Sequence, residues 1–387
     1  MKIGILTIHD SPSYGGSLQC FALWKYITEM GYDCEVIDLH RPYAHKDYIP
    51  SKTYKRCRKE NTSLGMKYKR LINSFITIFK NKQTYNIYGS GAIEKFKSFN
   101  NQIQYSKCYN NIDEFYKDPP YYDIYIAGSD QLWNPTQPYC IEPYFITFCN
   151  NKKSKKISYA TSIGISTLTE REKILFRDWL KDFTAISVRE QEAKELLESF
   201  TDYRIKRVID PTFLIDSKDW KKEAIFPIKN NLKYILLFAL NVRDDLLDFC
   251  IRVSKEAKLK LIVLNQHQHK SETGDYISVC DAGPREFLGY IACADLVITD
   301  SFHGTVFSLI MQVNNFFTYI SPDNLRGGRI KDLLSLFNLK DHLLNPKFND
   351  TFEDLSRKRI NHEQIESTIH KEQTEGRQFL LHSIKGL

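Results

Sequence analysis

Short apolar runs alternate with amphipathic helical patterns along most of this chain, which is typical of parallel α/β domains. Residues 3–8 and 34–39 have the apolar character of buried strands, and a helical pattern at residues 16–30 lies between them. A strand, a helix and a second strand in this order predict a parallel pair joined by a right-handed crossover.

The same alternation continues along the chain and divides it in two. Strands are predicted at residues 123–127, 156–160, 185–188, 207–209, 234–240, 259–264, 276–279, 296–299 and 316–320, and helices at residues 169–182, 244–257, 284–293, 305–312 and 361–381. A chain of 387 residues exceeds what one hydrophobic core usually supports. We therefore expect an N-terminal α/β domain over residues 1–183, with a basic helical insertion at residues 41–120, and a C-terminal α/β domain over residues 184–387.

The composition is that of an ordinary globular protein, with 42% hydrophobic and 26% charged residues. No apolar run approaches the ~20 residues that span a bilayer, and residues 3–8 are too few for a signal peptide. We therefore expect a cytoplasmic protein. The nine cysteines are odd in number and show no zinc-type spacing, which favours reduced thiols. The H-x-H motif at residues 267–269 has no third ligand nearby in sequence, so we expect no metal site.

A strongly basic segment lies inside the insertion. Residues 51–82 carry ten lysine and arginine side chains against one glutamate, in a chain whose net charge is +7. An apolar stripe recurs there at helical spacing, at Tyr68, Leu71, Ile72, Phe75, Ile76 and Phe79. This helix either lies on the anionic inner face of the cytoplasmic membrane or packs its stripe on its own domain. No recognition motif accompanies the charge, so we expect no nucleic-acid partner.

Candidate chemistry is concentrated where the strand at residues 296–299 runs into a helix. The turn holds Asp300, Ser301, Phe302, His303 and Gly304, and the helical pattern begins after it. Helix N-termini at such turns bind anions in parallel α/β proteins, and histidine titrates near neutral pH. The alternative is an ordinary helix start with a hydrogen-bonded surface histidine.

Two other predicted strands end in turns of the same kind. Gly128, Ser129 and Asp130 follow the strand at residues 123–127, and the segment from His9 to Gln19, a loop and the start of a helix, follows the first strand. Together with blocks at residues 157–164, 187–190 and 210–214, these segments resemble the polysaccharide pyruvyl transferase family. Pattern alone predicts two α/β domains. The resemblance implies more, namely a GT-B-like fold in which two Rossmann-like domains face a cleft.

The resemblance also implies a reaction. Members transfer the enolpyruvyl group of phosphoenolpyruvate to a sugar of a bacterial cell-surface polysaccharide precursor and form a pyruvate ketal. His303 matches the family's motif and is the first candidate for the catalytic acid or for a phosphate-stabilising imidazolium. Asp130 is the candidate base for the acceptor hydroxyl, or else only closes its own turn. Arg189 is expected to bind the donor's phosphate or carboxylate, or else pairs with Glu190 or Glu192 on a helix surface.

Further binding residues are expected on both sides of the cleft. On the C-terminal, donor side, other branches of the family carry arginine where this chain has Ser301, so a guanidinium fork is lost. Ser301, Gly304, Thr305 and a second cation, Arg329, are expected to bind the donor there. On the N-terminal, acceptor side, the candidates are Tyr14, Gly15, Gly16, Gln19, Ser129, Gln131 and Trp133, with Gln131 and Trp133 expected to contact a sugar.

The sequence thus predicts a pyruvyl transferase that needs no cofactor beyond its donor substrate, phosphoenolpyruvate. Its partner is a saccharide acceptor, lipid-linked if the basic helix docks on the membrane. The alternative is a GT-B glycosyltransferase that uses a nucleotide sugar in exopolysaccharide or capsule synthesis, with Asp300 on the ribose. A third hypothesis, a non-catalytic binding module, is disfavoured because His303, Arg189 and Asp130 are all present.

Overall fold

The computed structural model describes residues 1–41, 90–137, 139–226, 232–240, 242–264, 274–322 and 327–386. The basic segment at residues 51–82, with its apolar stripe, and the H-x-H motif at residues 267–269 lie outside these ranges. Within them, no helix is both long enough and apolar enough to cross a membrane.

The first half of the chain builds a parallel sheet of strand order β2-β1-β3-β4. Its elements, in chain order, are β1 (Lys2–Leu6), α1 (Tyr14–Glu29), β2 (Asp33–Val36), α2 (Ser90–Asn100), α3 (Ile112–Lys117), β3 (Ile124–Ala127), β4 (Lys155–Ser158) and α4 (Glu170–Leu180). The β3 side chains are all buried, as expected for a strand covered on both faces. The predicted β-α-β opening is confirmed, since β1 and β2 pair in parallel across α1.

Two short strands extend this sheet beyond β4. These are β5 (Ser187–Val188) and β6 (Lys206–Arg207), which flank α5 (Gln191–Glu198) and pair with each other. Ala185 bridges Ile157, and Val188 bridges Thr161, so β5 lies beside the β4 segment. The sequence pattern grouped these strands with the second half of the chain. These bridges place them with the first sheet instead. A strand of two residues carries too little periodicity to show from sequence which sheet it joins.

After α6 (Ser217–Glu223), the second half builds a five-stranded parallel sheet of order β11-β10-β7-β8-β9. Its elements are β7 (Tyr234–Phe238), α7 (Asp244–Ala257), β8 (Lys260–Leu264), β9 (Ile277–Val279), α8 (Pro284–Ala292), β10 (Leu296–Thr299), α9 (Phe302–Ile310), β11 (Phe316–Thr318), α10 (Gly328–Leu336), α11 (Phe352–Arg357) and α12 (His362–Lys385). The fold is therefore two Rossmann-like domains, as predicted. The long helix α12 returns to the first domain, where Lys155 Nζ donates to the Ile384 carbonyl at 2.9 Å.

The order of strands reverses once in each sheet, between β1 and β3 and between β7 and β10. Ligands of open α/β sheets bind outside the carboxyl ends of the strands at such switch points. The two switch points meet across the domain interface. Tyr14, after β1, donates from its hydroxyl to the Ala282 carbonyl at 2.8 Å and stacks on Phe287 of α8. The topology thus brings the loops after β1 and β3 together with the loops after β7 and β10 at one cleft.

Candidate active site

Two helix N-termini face each other across the cleft. Helix α1 begins after β1 and α9 begins after β10, and each is capped by a serine: Ser13 Oγ accepts from Gly16 N and Ser301 Oγ accepts from Gly304 N, both at 3.3 Å. The His303 ring, in the first turn of α9, lies directly against Gly15 in the first turn of α1. Both helix dipoles therefore direct their positive ends at the same space, which favours an anion there.

His303 is buried, with 8% of its surface exposed. Its Nε2 atom lies 3.7 Å from Asp210 Oδ2, too far for a direct hydrogen bond, and has no hydrogen-bond partner among the described residues. Buried polar atoms are nearly always satisfied by protein, water or ligand. This imidazole is therefore held in place by packing, with one nitrogen left to act on something that enters the cleft.

Asp210 is the centre of the polar network, although no role was predicted for it beyond its place in a family block. It follows β6 and is 1% exposed. Its Oδ1 accepts from the backbone N and hydroxyl of Thr212, at 3.1 and 2.8 Å, and its Oδ2 accepts from Arg189 Nη1 at 2.5 Å. Burial acts to raise the pKa of Asp210, but His303 and Arg189 outweigh it and hold the pKa well below its usual range. Asp210 is therefore a fixed negative charge beside the imidazole.

Arg189, at the turn after β5, lies inside the site and not on a helix surface. Its Nη1 donates to Asp210, its Nε donates to Glu190 Oε1 at 3.3 Å, and its Nη2 lies 3.8 Å from Asp130 Oδ1. The guanidinium carbon lies 4.1 Å from the centre of the Phe302 ring. Burial acts to lower the pKa of Arg189, but the three carboxylates raise it. Arg189 Nη2 and Glu190 Oε2 are buried without hydrogen-bond partners among the described residues, so both can still contact a ligand.

Asp130 joins this network from the β3 loop. Its backbone is in the left-handed region, with φ of 72°, and its Oδ1 accepts from Gln131 N at 2.9 Å. The predicted local turn contact is therefore present. The same carboxylate also faces Arg189, and its role as base for the acceptor hydroxyl stays a prediction.

Arg329 also lies near the Phe302 ring. Its guanidinium carbon is 5.6 Å from the ring centre, and its Nη2 lies 2.8 Å from the Gln131 amide, whose oxygen accepts in the orientation that this arginine requires. Two cavities adjoin Arg329. One, of about 310 Å³, is lined by Arg189, Asp210 and Phe302, and the other, of about 470 Å³, by Glu190, Gly164 and Ser321. Arg329 therefore lines both cavities.

Several predicted binding residues position the site from within the core. Gln19 is fully buried, donates to Ile8 O and Thr7 Oγ1, and accepts from Ser129 N, so it ties the β1 loop to the β3 loop. Ser129 Oγ donates to Ala160 O, and Thr305 Oγ1 donates to Ser301 O. A side chain at Gly304 would collide with Thr299. The Ser129 and Thr305 hydroxyls and the Gln19 amide are therefore all engaged in hydrogen bonds within the protein.

Trp133 was expected to contact a sugar, and the structure corrects this. Its ring is 0% exposed and stacks on Phe145 at 5.1 Å, while its Nε1 donates to Tyr144 O at 3.0 Å. Neither a ring face nor the donor is left for a saccharide. Tyr14 is likewise buried, in the contact between the domains described above.

Gly15 is required by the close approach of the two helices. A Cβ atom there would collide with the imidazole of His303, whereas one at Gly16 would meet Ser13 Cβ at an ordinary 3.4 Å. We expect Gly15→Ala to destabilise the fold by about 1–3 kcal/mol through overpacking, although alanine is intrinsically the better helix former. Activity should fall with it, because the imidazole must move. Urea unfolding and turnover measure both effects, with Gly16→Ala as the matched control. Equal stability and equal turnover in the two variants would contradict the contact.

Comparisons with known proteins show the family and the fold of this chain. The family model described as polysaccharide pyruvyl transferase matches residues 14–322 of the chain. The structure is similar to a glycotransferase of kitacinnamycin, with TM-score 0.50 and 12% identity over 98% of this chain and 97% of that one. It is also similar to UDP-GlcNAc 2-epimerase from Methanocaldococcus jannaschii, with TM-score 0.48 and 13% identity over 96% and 99% of the two chains. No curated protein sequence matches significantly. At this identity, the structural likeness shows the GT-B-like fold alone.

Proposed function

Because this chain belongs to the polysaccharide pyruvyl transferase family, we propose that it transfers the enolpyruvyl group of phosphoenolpyruvate to a sugar of a bacterial cell-surface polysaccharide precursor. The observation that carries the proposal is the cleft itself. There, three polar atoms that lack a hydrogen-bond partner among the described residues lie beside two helix N-termini: Nε2 of His303, Nη2 of Arg189 and Oε2 of Glu190. That set offers both cationic donors and a proton-transfer group, which the reaction demands together.

The reaction has a definite balance. A proton is added to the methylene carbon of phosphoenolpyruvate, and the adjacent carbon becomes electron-poor. Two sugar hydroxyls add to that carbon, its bond to the phosphate oxygen breaks, and inorganic phosphate leaves. Of the two hydroxyl protons released, one replaces the proton given to the methyl group and the other leaves on the phosphate. The enzyme therefore needs an acid, a base and groups that stabilise the departing phosphate.

His303 suits the acid, because its Nε2 lies in the site, 3.7 Å from the Asp210 carboxylate, and has no hydrogen-bond partner among the described residues. Once its proton is given to carbon, the imidazole can recover a proton from the hydroxyl side. Asp130 is the second candidate for a base, since its carboxylate is 17% exposed and belongs to the first domain, the proposed acceptor side. A lipid-linked saccharide remains the proposed acceptor. A nucleotide-sugar glycosyltransferase is the alternative that the test below must exclude.

Arg329 is the proposed donor-binding cation, in place of the guanidinium that this chain lacks at Ser301. We expect Arg329→Ala to weaken phosphoenolpyruvate binding about 10- to 100-fold, because hydrogen bonds to charged groups contribute roughly 1.5–3 kcal/mol. Isothermal titration of the full chain measures this dissociation constant. Lys340→Ala removes an exposed cation of the same domain and is the control. Equal affinity in Arg329→Ala and the control would remove Arg329 from the donor site.

The function is tested by the choice of ligand and by turnover. Phosphoenolpyruvate, but not a UDP-sugar, should raise the melting temperature, since a ligand that binds only the folded state stabilises it by mass action. Phosphate should then be released from phosphoenolpyruvate only when a lipid-linked oligosaccharide extract is added. Stabilisation by the UDP-sugar alone would instead support the glycosyltransferase.

A further inference from the structure

A second cluster of reactive side chains lies outside the cleft just described, at the edge of the first sheet. The segment after β2 runs in parallel beside residues 105–109: Tyr109 N donates to Asp38 O at 2.8 Å and His40 N donates to Tyr109 O at 3.0 Å. In extended chain, alternate residues share a face. Asp38 and His40 therefore project to the same side, and Cys108 of the neighbouring segment joins them there.

The three ligating atoms are spaced as metal ligands are. Cys108 Sγ lies 3.4 Å from His40 Nε2, which lies 3.7 Å from Asp38 Oδ1, and the three donor atoms are all within 4.8 Å of one another. Tetrahedral zinc with ligand bonds of about 2.0–2.3 Å separates its ligands by about 3.3–3.6 Å. The two measured distances, 3.4 and 3.7 Å, differ from this range by no more than a few tenths of an ångström. Small side-chain movements would therefore let the three atoms bind one zinc ion.

We propose that Asp38, His40 and Cys108 form a zinc-binding site. A thiolate, an imidazole and a carboxylate are the ligand types that zinc takes in proteins, and a set containing sulfur disfavours magnesium or calcium. Cys108 is exposed, so solvent water could supply a fourth ligand. Binding converts the Cys108 thiol to a thiolate and releases its proton to the buffer.

A buried histidine supports the ligand set from behind. His9 Nε2 lies 2.9 Å from Asp38 Oδ1, and His9 Nδ1 lies 3.1 Å from Thr7 O. Groups that hydrogen-bond to a ligating carboxylate fix its orientation and typically contribute 10- to 100-fold to metal affinity. His9 also belongs to the loop between β1 and α1, the helix that carries Gly15. The proposed zinc would thus brace one wall of the active-site cleft without entering it.

Zinc titration of the chelator-treated full chain, in competition with a chromogenic chelator, tests the proposal. We expect one tight equivalent in the wild type and an affinity at least ~100-fold lower in Cys108→Ser and His40→Gln, since ligand loss should exceed the effect of an outer-shell change. Cys293→Ser, which removes another exposed thiol, is the matched control and should bind as the wild type does. Cobalt loading should give a thiolate-to-metal absorption band that only Cys108→Ser abolishes.

The outcomes separate the site from adventitious binding. Absence of a tight equivalent in the wild type overturns the proposal, as does a Cys108→Ser affinity within threefold of the wild type. Circular dichroism melting of the metal-free proteins should show equal midpoints for the wild type and both cysteine variants. This check ensures that lost binding reports lost ligands and not lost folding.

Discussion

Replacing His303 with alanine should reduce turnover with phosphoenolpyruvate by about 10²- to 10⁴-fold, the usual contribution of a positioned general acid or base. The expectation follows from an imidazole that is buried against Gly15, lies 3.7 Å from the Asp210 carboxylate and has no hydrogen-bond partner for Nε2 among the described residues. Donor affinity should change much less than turnover, because the proton transfer occurs only in the transition state.

Steady-state phosphate release with saturating donor measures this effect, and donor titration measures affinity separately. His342→Ala is the matched control, since His342 is also buried in the second domain and its Nε2 has no partner in the part of the chain that the structure describes, but its ring stacks on Phe317 at 5.0 Å. Both variants should lose stability, and only His303→Ala should lose turnover below its melting temperature. A His303→Ala enzyme that keeps more than half of the wild-type turnover would exclude His303 from catalysis.

The sequence predicted the architecture well because the β-α alternation is strong wherever strands are covered on both faces. The strands of the second half, from 234–240 to 316–320, were each placed correctly, whereas the helix predicted at residues 305–312 begins earlier, at Phe302, and so includes His303. Carboxyl ends of neighbouring parallel strands lie at one sheet edge, so the convergence of residues 128–130 with residues 300–304 follows from topology once the domains face each other.

Pairings between polar side chains could not be predicted in the same way. Arg189 was expected to meet either a ligand or the adjacent Glu190, whereas its shortest contact is with Asp210, 21 residues further along the chain. Nothing in a local pattern encodes that partner. The signal for Asp210 was present, as an acidic residue directly after a strand and before Pro211, but it reads equally as a helix start. Trp133 shows the same limit, since an aromatic ring after a loop suits a binding surface and a core alike.

Asp210→Asn should destabilise the protein by roughly 3–5 kcal/mol, the usual cost of removing one partner of a buried ion pair. The amide can keep one acceptor for Thr212, but it cannot neutralise Arg189, which is 6% exposed and donates to Asp210 at 2.5 Å. Glu190 and Asp130, at 3.3 and 3.8 Å, would be the only carboxylates left near that cation within the described residues. Urea unfolding monitored by tryptophan fluorescence gives the free energy of unfolding.

The double variant Arg189→Met/Asp210→Asn makes this expectation specific, because it removes the cation as well. It should be more stable than Asp210→Asn alone, with a coupling energy of about 2 kcal/mol or more between the two positions.

The lowered pKa of Asp210 determines how this stability depends on pH. A depressed carboxyl pKa contributes stability that is fully present above the unfolded value of about 4 and is lost only as pH falls below it. The difference between wild type and Asp210→Asn should therefore be the same at neutral and mildly acidic pH. A difference that disappears already near pH 6, or a double variant no more stable than Asp210→Asn, would show that the charge of Arg189 is compensated elsewhere.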